Sequence, residues 1–374
     1  MSDAFRASAD ALVRETNRLG ATLAPQTCEG IAELIALINA YYSNLIEGHY
    51  TFPRDIEHGL AERWSDAEDA RDYQAEGVAH VQVERLVRQQ LHEDPELDPA
   101  SPDFLSWVHR LFYERLPAQF RVIETPGGRT LKVEPGELRT KGVIVGRHPT
   151  PDVQDLDKLM RAFVGAYQIE GLHHPENLAA VFSAHHRLLW IQPFLDGNGR
   201  VARIMTQAHL HRLGLDGAGL WSMARGLARA DALYKQYLTA ADGRDGEGRH
   251  TEQELATYCQ FMVDTALEQV RFMQRSLEIE GLERRVRRFV EAHEEIPPEA
   301  ANLLWDMALR GRVARSDAPR MLGMSEDAGR EVIRDLLDRG LIQAGSHRAP
   351  LRLAFPTYAA EAYFPRLFPA AAGV

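Results

Sequence analysis

Residues 192–203 read Gln-Pro-Phe-Leu-Asp-Gly-Asn-Gly-Arg-Val-Ala-Arg, and most of these side chains have a use beside an anion. Gly197-Asn198-Gly199 is a short, sterically open segment that can turn successive backbone amides towards one point. It leads into apolar residues at helical spacing (Val201, Ile204, Met205, Ala208, Leu213) that stop at Gly214. A helix beginning there adds the partial positive charge of its N-terminus to those amides. Arg200 and Arg203 are three apart and leave the same helix face. Asp196, just ahead of the glycines, is a hard oxygen donor suited to a magnesium ion already holding phosphate oxygens. Amides, two guanidiniums and a carboxylate describe a cradle for a metal-bound polyphosphate. Composition alone also allows a plain loop carrying a surface arginine pair.

The run is similar to the active-site signature of the Fic family, His-x-Phe-x-(Asp/Glu)-Gly-Asn-Gly-Arg-x-x-Arg. It matches at Phe194, Asp196, Gly197, Asn198, Gly199, Arg200 and Arg203, and departs at the first position, where Gln192 replaces histidine. The resemblance implies transfer of AMP from ATP to a protein hydroxyl. It places Gly197, Asn198 and Gly199 on the α- and β-phosphates, Mg2+ on Asp196, and Arg203 on the γ-phosphate. Catalytic candidates are therefore Gln192, Asp196, Asn198, Arg200 and Arg203, the last four also binding nucleotide or metal. In the family, the histidine takes the proton of the attacking hydroxyl. A glutamine amide cannot do so near neutral pH, and losing a positioned general base costs about 10²–10⁴-fold in rate. Three readings stay open: a slowed adenylyltransferase, an ATP-binding pseudoenzyme acting as a sensor, and a DNA-binding regulator with a sensor domain.

The elements that must position this loop are mostly helical. A stripe of Ile31, Leu34, Ile35, Ile38, Tyr41, Tyr42, Leu45 and Ile46 predicts a helix over 31–47, closed by Gly48. Ser43 and Glu47 are four apart on that helix. The string Ser43-Asn44-Leu45-Ile46-Glu47-Gly48 is similar to the Fic inhibitory motif, (Ser/Thr)-x-x-x-Glu-(Gly/Asn). By that resemblance, Ser43, Glu47 and Gly48 are regulatory, and Glu47 pairs with Arg203 to exclude the γ-phosphate. Further helices are expected over 66–91, 104–116, 152–167, 177–190 and 252–277, with a short one near 52–64. Strand signals lie between 120 and 146: Val122-Ile123, a turn at Pro126-Gly127-Gly128, Leu131-Lys132-Val133, then an extended stretch over 136–151. This order resembles the Fic flap, which implies that Thr140, Val143, Ile144 and Val145 align a target segment by edge-strand hydrogen bonds. Tyr234 and Tyr237 sit where the resemblance implies a wall around adenine; core packing is the other reading. His109 reads as structural. His185 and His186 could stand in for the missing base, but neighbouring helical residues diverge by about 100°, which disfavours a shared metal. His173-His174 precede that helix.

The whole chain sets further bounds. Its 374 residues suit two or three domains, and a net charge of −11 argues against broad binding to nucleic acid or anionic membranes. Two cysteines, Cys28 and Cys259, far apart and without metal-ligand spacing, suit a reducing compartment. No signal-peptide layout and no long apolar run appear, so a cytoplasmic protein is expected. The expected fold is all-α: a mainly helical Fic fold with a β-hairpin flap, plus a C-terminal winged helix-turn-helix-like domain. The expected domains are 1–97, 98–278 and 279–374, divided at the charged stretch 278–295 and Pro297-Pro298. Beyond it, helices near 299–310, 316–322 and 325–339 precede strands at 341–344 and 351–355. The third helix carries Glu326, Asp327, Glu331, Asp335 and Asp338 against Arg330, Arg334 and Arg339, a net of −2. DNA recognition needs a basic surface, so protein contact or homodimerisation is favoured over DNA. The expected partner is a protein presenting a hydroxyl, the chain itself included.

Overall fold

Apolar residues at helical spacing build most of the chain, and capping residues end the helices where that spacing breaks. Helix α1 (Asp3–Arg18) begins at Ser2, whose side chain accepts from Phe5 N, and α2 (Pro25–Ile46) begins on Pro25. Next come α3 (Pro53–Leu60), α4 (Glu68–Glu93) and α5 (Pro102–Arg115), the last capped by Ser101 Oγ on Phe104 N at 3.1 Å. Strands β1 (Val122–Glu124) and β2 (Thr130–Lys132) pair antiparallel, with Ile123 opposite Leu131. Strands β3 (Ile144–Val145) and β4 (His148–Pro149) pair likewise, with Ile144 opposite Pro149. Helices α6 (Leu156–Tyr167), α7 (Pro175–Ile191) and α8 (Asn198–Arg212) follow, then α9 (Met223–Arg229), α10 (Asp231–Ala241) and α11 (Glu252–Ser276). The C-terminal part holds α12 (Ile279–Glu291), α13 (Ala300–Arg310), α14 (Ala318–Met321), α15 (Glu326–Asp338), the antiparallel pair β5 (Ile342–Gln343) and β6 (Arg352–Leu353), and α16 (Thr357–Tyr363). The computed structural model describes residues 1–124, 128, 130–142, 144–145, 148–169, 175–242 and 252–369. Among these, no helix is long and apolar enough to cross a membrane.

The mainly helical class matches the expectation, and the strands fall where β-signals cluster. Pro126 and Gly127 of the expected turn, Val143, Gly146, His173, His174 and the glycine-rich stretch 243–248 lie outside the described residues. Most of the charged stretch 278–295 forms α12. Leu282, Val286, Phe289 and Val290 recur at helical spacing and are buried, while the charges occupy the other face.

Two apolar clusters position the site. One joins α4 to α8 through Val83, Val87, Phe112, Phe163, Leu188 and Met205. The other runs from Leu12 and Ile35 through Val263 and Val270 to Phe289, Leu304 and Phe364. Helix α8 belongs to both, with Val201 and Ile204 in the first and Leu210 in the second. Helix α2 is backed by the C-terminal part: Thr27 Oγ1 donates to Ala308 O at 2.8 Å. At Gly30, a Cβ would stand 3.1 Å from the Phe355 ring, so a bare backbone accommodates that contact. Thr357 donates to Glu57 of α3 from both its amide, at 3.2 Å, and its hydroxyl, at 2.5 Å.

Candidate functional site

The start of α8 is built by two glycines with different duties. Gly197 is the N-cap in the left-handed conformation, with φ of 76°, and a Cβ there would meet the Tyr113 ring at 2.7 Å. Asn198 folds back on the preceding turn, its Oδ1 accepting from Phe194 N and its Nδ2 donating to Phe194 O, both at 2.9 Å. At Gly199, a Cβ would stand 2.5 Å from Glu47 Oε1 and 3.1 Å from Arg203 Nη1. A carboxylate therefore lies on the bare face of the first turn, where the helix end favours negative charge.

That carboxylate is held by Arg203. Its Nη2 donates to Glu47 Oε1 at 2.5 Å and to Ser43 O at 3.2 Å, while Nε donates to Ser43 Oγ at 2.7 Å. Gly48, with φ of 87°, lets the chain leave α2 just beyond Glu47. Burial pushes the Glu47 carboxyl up, but Arg203 and Arg200 outweigh it and hold it below its ordinary value. A lowered carboxyl contributes stability above its unfolded pKa and loses it only as pH falls through the folded value. The contact is thus charged at neutral pH and persists into the acid range.

Arg200 is engaged from the other side. It forms a buried ion pair with Glu76 of α4, whose second oxygen lies 2.7 Å from His49 Nδ1. Burial works against the charge on Arg200, and Glu76, then Glu47, override it so that its pKa is raised. Glu76 escaped the sequence reading. Its only local signal is a carboxylate beside the run Gly77, Val78, Ala79 on a helix whose neighbours are buried.

Asp196 projects an exposed carboxylate, steadied by Tyr113, whose hydroxyl donates to Oδ2 at 2.7 Å. His109, expected to be structural, links the flap to this loop. Its Nδ1 accepts from Gly136 N at 2.8 Å, so the ring proton is on Nε2, which donates to Asp196 O at 3.2 Å. The ring stacks on Phe194 and Tyr113 at 4.1 and 4.3 Å. Arg139 is a second fastener unseen in the sequence. Buried at the base of the flap, it donates from Nε to Gln192 O at 2.7 Å, from Nη2 to Pro151 O at 2.7 Å and from Nη1 to Lys141 O at 3.1 Å. Gln192 has φ of 50°, a left-handed conformation costing about 1–2 kcal/mol for a residue with a Cβ. The Arg139 fork offsets that strain by fixing the carbonyl. Arg139→Ala is expected to lower stability by about 2–4 kcal/mol in urea denaturation, since charged donors to buried carbonyls are lost. A loss under about 1 kcal/mol would mean that the flap is anchored elsewhere.

The remaining candidates sit deeper or further out. His185 donates from Nδ1 to Thr206 Oγ1 and accepts at Nε2 from Tyr234 OH, both at 2.7 Å; the threonine hydroxyl itself donates to Ala202 O. Both ring nitrogens are thus engaged in the core. His186 Nε2 lies 3.1 Å from Asp242 Oδ1. Tyr234 is buried, and Tyr237 packs on Phe261 at 5.0 Å. Thr140 is exposed, and Ile144 and Val145 form β3. Burial pushes His109 down to about 4 and both His185 and His209 down to about 3. Unfolded histidines protonate more readily than these, so their contribution is full above an ordinary pKa of about 6.5 and falls as pH drops below it. Each group costs up to about 1.4 kcal/mol per pH unit. The urea midpoint should therefore fall markedly from pH 7.5 to pH 5.5; an unchanged midpoint would show that these rings take up protons in the fold as readily as in the unfolded chain.

Residues 99–210 match the family model described as Fic/DOC family. That span holds Tyr113, Arg139 and the entire stretch from Gln192 to Arg203. The chain carries a Fic/DOC domain. Over this Fic domain it is similar to the Protein adenylyltransferase Fic of Drosophila grimshawi, 41% identical over 90 residues, covering 23% of this chain and 18% of that protein. The Protein adenylyltransferase Fic of Culex quinquefasciatus is 43% identical over 89 residues, covering 23% of this chain and 17% of that protein. The chain therefore spans less than a fifth of the curated relatives it matches. In fold, it is similar to a Fic family protein from Desulfovibrio desulfuricans G20, with a TM-score of 0.55 and 16% identity over 95% of this chain and 97% of the other. Fic-1 from C. elegans gives a TM-score of 0.54 at 16% identity, over 72% of this chain and 71% of the other. Ser43, Glu47 and Glu76 come from outside the matched Fic segment, so the site is completed by helices that the family model does not cover.

Proposed function

We propose that this chain is a Fic-type protein adenylyltransferase, restrained by Glu47 and slowed by Gln192, which moves AMP from ATP–Mg2+ to a Ser, Thr or Tyr hydroxyl of a protein. The observation that carries the reading is the Glu47 carboxylate seated on the first turn of α8 and bound to Arg203. An anion of the chain itself fills a place whose amides and guanidinium favour a phosphate. The residues fit the substrate: Gly199 leaves a cradle that a Cβ would fill, and Asp196 offers a free-facing carboxylate. Among the described residues no group of three or more His, Cys, Asp or Glu could hold a metal. Magnesium can bind through one carboxylate and phosphate oxygens and would supply charge neutralisation there.

In this reading the amides of Gly197, Asn198 and Gly199 take the phosphates, and Arg203 takes the terminal one after Glu47 withdraws. Arg200 remains with Glu76 and stiffens the helix start. The target hydroxyl attacks the α-phosphorus, the bond to the bridging oxygen breaks, and pyrophosphate leaves. Gln192 can accept a hydrogen bond from that hydroxyl but not its proton, which passes to water. The flap edge around Thr140, Val143, Ile144 and Val145 would hold the target backbone by β-augmentation.

A second reading, an ATP-binding pseudoenzyme that signals occupancy, is favoured by Gln192 and by the engaged nitrogens of His185. Incubating Glu47→Gly with α-labelled ATP and magnesium tests both. Label on the chain or on a lysate protein is the outcome expected for transfer; nucleotide binding without label would leave the pseudoenzyme. For the C-terminal part, contact with protein is favoured over DNA, because Arg330, Arg334 and Arg339 each pair with an acid of their own helix at 2.7, 3.6 and 2.7 Å.

A further inference from the structure

A cleft of about 490 Å³ opens between α9, α11, α12 and the segment after α16, and no residue of the signature loop lines it. Five arginines line it (Arg225, Arg229, Arg275, Arg285 and Arg366), and Glu268 is the one carboxylate among its lining residues. In a chain of net charge −11, that local excess of positive charge is the reverse of the overall balance.

Two of the five form the floor. Arg225 is 2% exposed and lies over the Phe272 ring at 3.8 Å. It donates to Leu367 O at 2.9 Å, Arg366 O at 2.6 Å and Gln269 Oε1 at 2.6 Å. Arg285 donates to Tyr363 O at 2.6 Å and to Ser276 O. These two fasten the C-terminal segment and, in doing so, hold Arg366 in a left-handed conformation, with φ of 69°. Arg229, Arg275 and Arg366 stand exposed at the rim, with no carboxylate partner among the described residues. Three guanidiniums from three elements, above two more that add positive charge while donating to the protein itself, match the oxygens of a multiply charged phosphate better than any neutral ligand. The volume lies within the range for small-molecule sites.

We propose that this cleft binds a small ligand carrying a diphosphate or an equivalent pair of phosphate groups. The site is separate from the α8 cradle and does not depend on the activity proposed for it. The test is calorimetric titration of the full chain with inorganic pyrophosphate in magnesium-free buffer at physiological ionic strength, with sodium chloride at matched ionic strength as the control. Saturable binding is expected, weakened about tenfold or more when Arg229→Gln, Arg275→Gln and Arg366→Gln are combined, as each removes a charged hydrogen-bond donor. These rim residues are exposed, so the variant should keep its fold, and its thermal melt verifies this. Hydrogen exchange should show protection by pyrophosphate at 225–229 and 363–368. Absence of saturable heat, unchanged affinity in the folded triple variant, or protection confined to 196–203 would each overturn the proposal.

Discussion

With Glu47→Gly already in place, Gln192→His is expected to raise AMP incorporation by about 10²–10⁴-fold, the usual worth of a positioned general base. The backbone is ready for the change. Residue 192 is left-handed, a conformation in which histidine is among the better tolerated residues. Its carbonyl is held by Arg139, and Asn198 fixes Phe194 two residues on. An imidazole there would inherit a defined position, and its proton affinity near neutrality supplies what the amide lacks. Initial rates with α-labelled ATP should rise from pH 5.5 to pH 8 as that imidazole becomes neutral. Gln192→His alone, with Glu47 intact, should stay close to background because the carboxylate still covers the first turn of α8. If the double variant binds nucleotide yet labels no faster than Glu47→Gly, position 192 does not face the attacking hydroxyl, and the slowing attributed to glutamine has another origin.

What the sequence could and could not disclose follows from how local each feature is. The start of α8 was legible because a helix N-terminus, its glycines and its arginines lie within one short run. The helical stripes of α2, α5 and α11 were legible for the same reason. The pairing of Glu47 with Arg203 spans 156 positions, and no periodicity connects the two; only the likeness of both motifs to one family brings them together. Glu76, His109, Tyr113 and Arg139 have no such aid. Each is a polar group buried because its partner arrives from another element: Arg200 for Glu76, Gly136 and Asp196 for His109, Asp196 for Tyr113, and the carbonyls around Gln192 for Arg139. Locally such residues look like surface charge or core filler. In α12 the charges mask an apolar stripe of four residues, so its helical period is hard to see in the sequence.

The same long-range pairing makes Glu47→Gly the variant that should most change nucleotide binding. In the parent chain Arg203 is satisfied by Glu47 and Ser43, so magnesium ATP should move the melting temperature little. Removing the carboxylate leaves Arg203, which is 8% exposed, with the two bonds to Ser43 alone. Its uncompensated charge should cost about 1–3 kcal/mol in the absence of ligand. A γ-phosphate can then take the vacated side of the guanidinium and the bare turn at Gly199. At a nucleotide concentration 100 times Kd, that restores about 2.7 kcal/mol. Glu47→Gly should therefore melt lower than the parent without ATP and show a clear upward shift with it. The shift should vanish when Arg203→Ala is added. Acid should not mimic the substitution at pH 5, because the arginines keep the Glu47 carboxyl ionised below its ordinary range. Equal thermal responses to magnesium ATP in parent and Glu47→Gly would show that the carboxylate on α8 does not compete with phosphate.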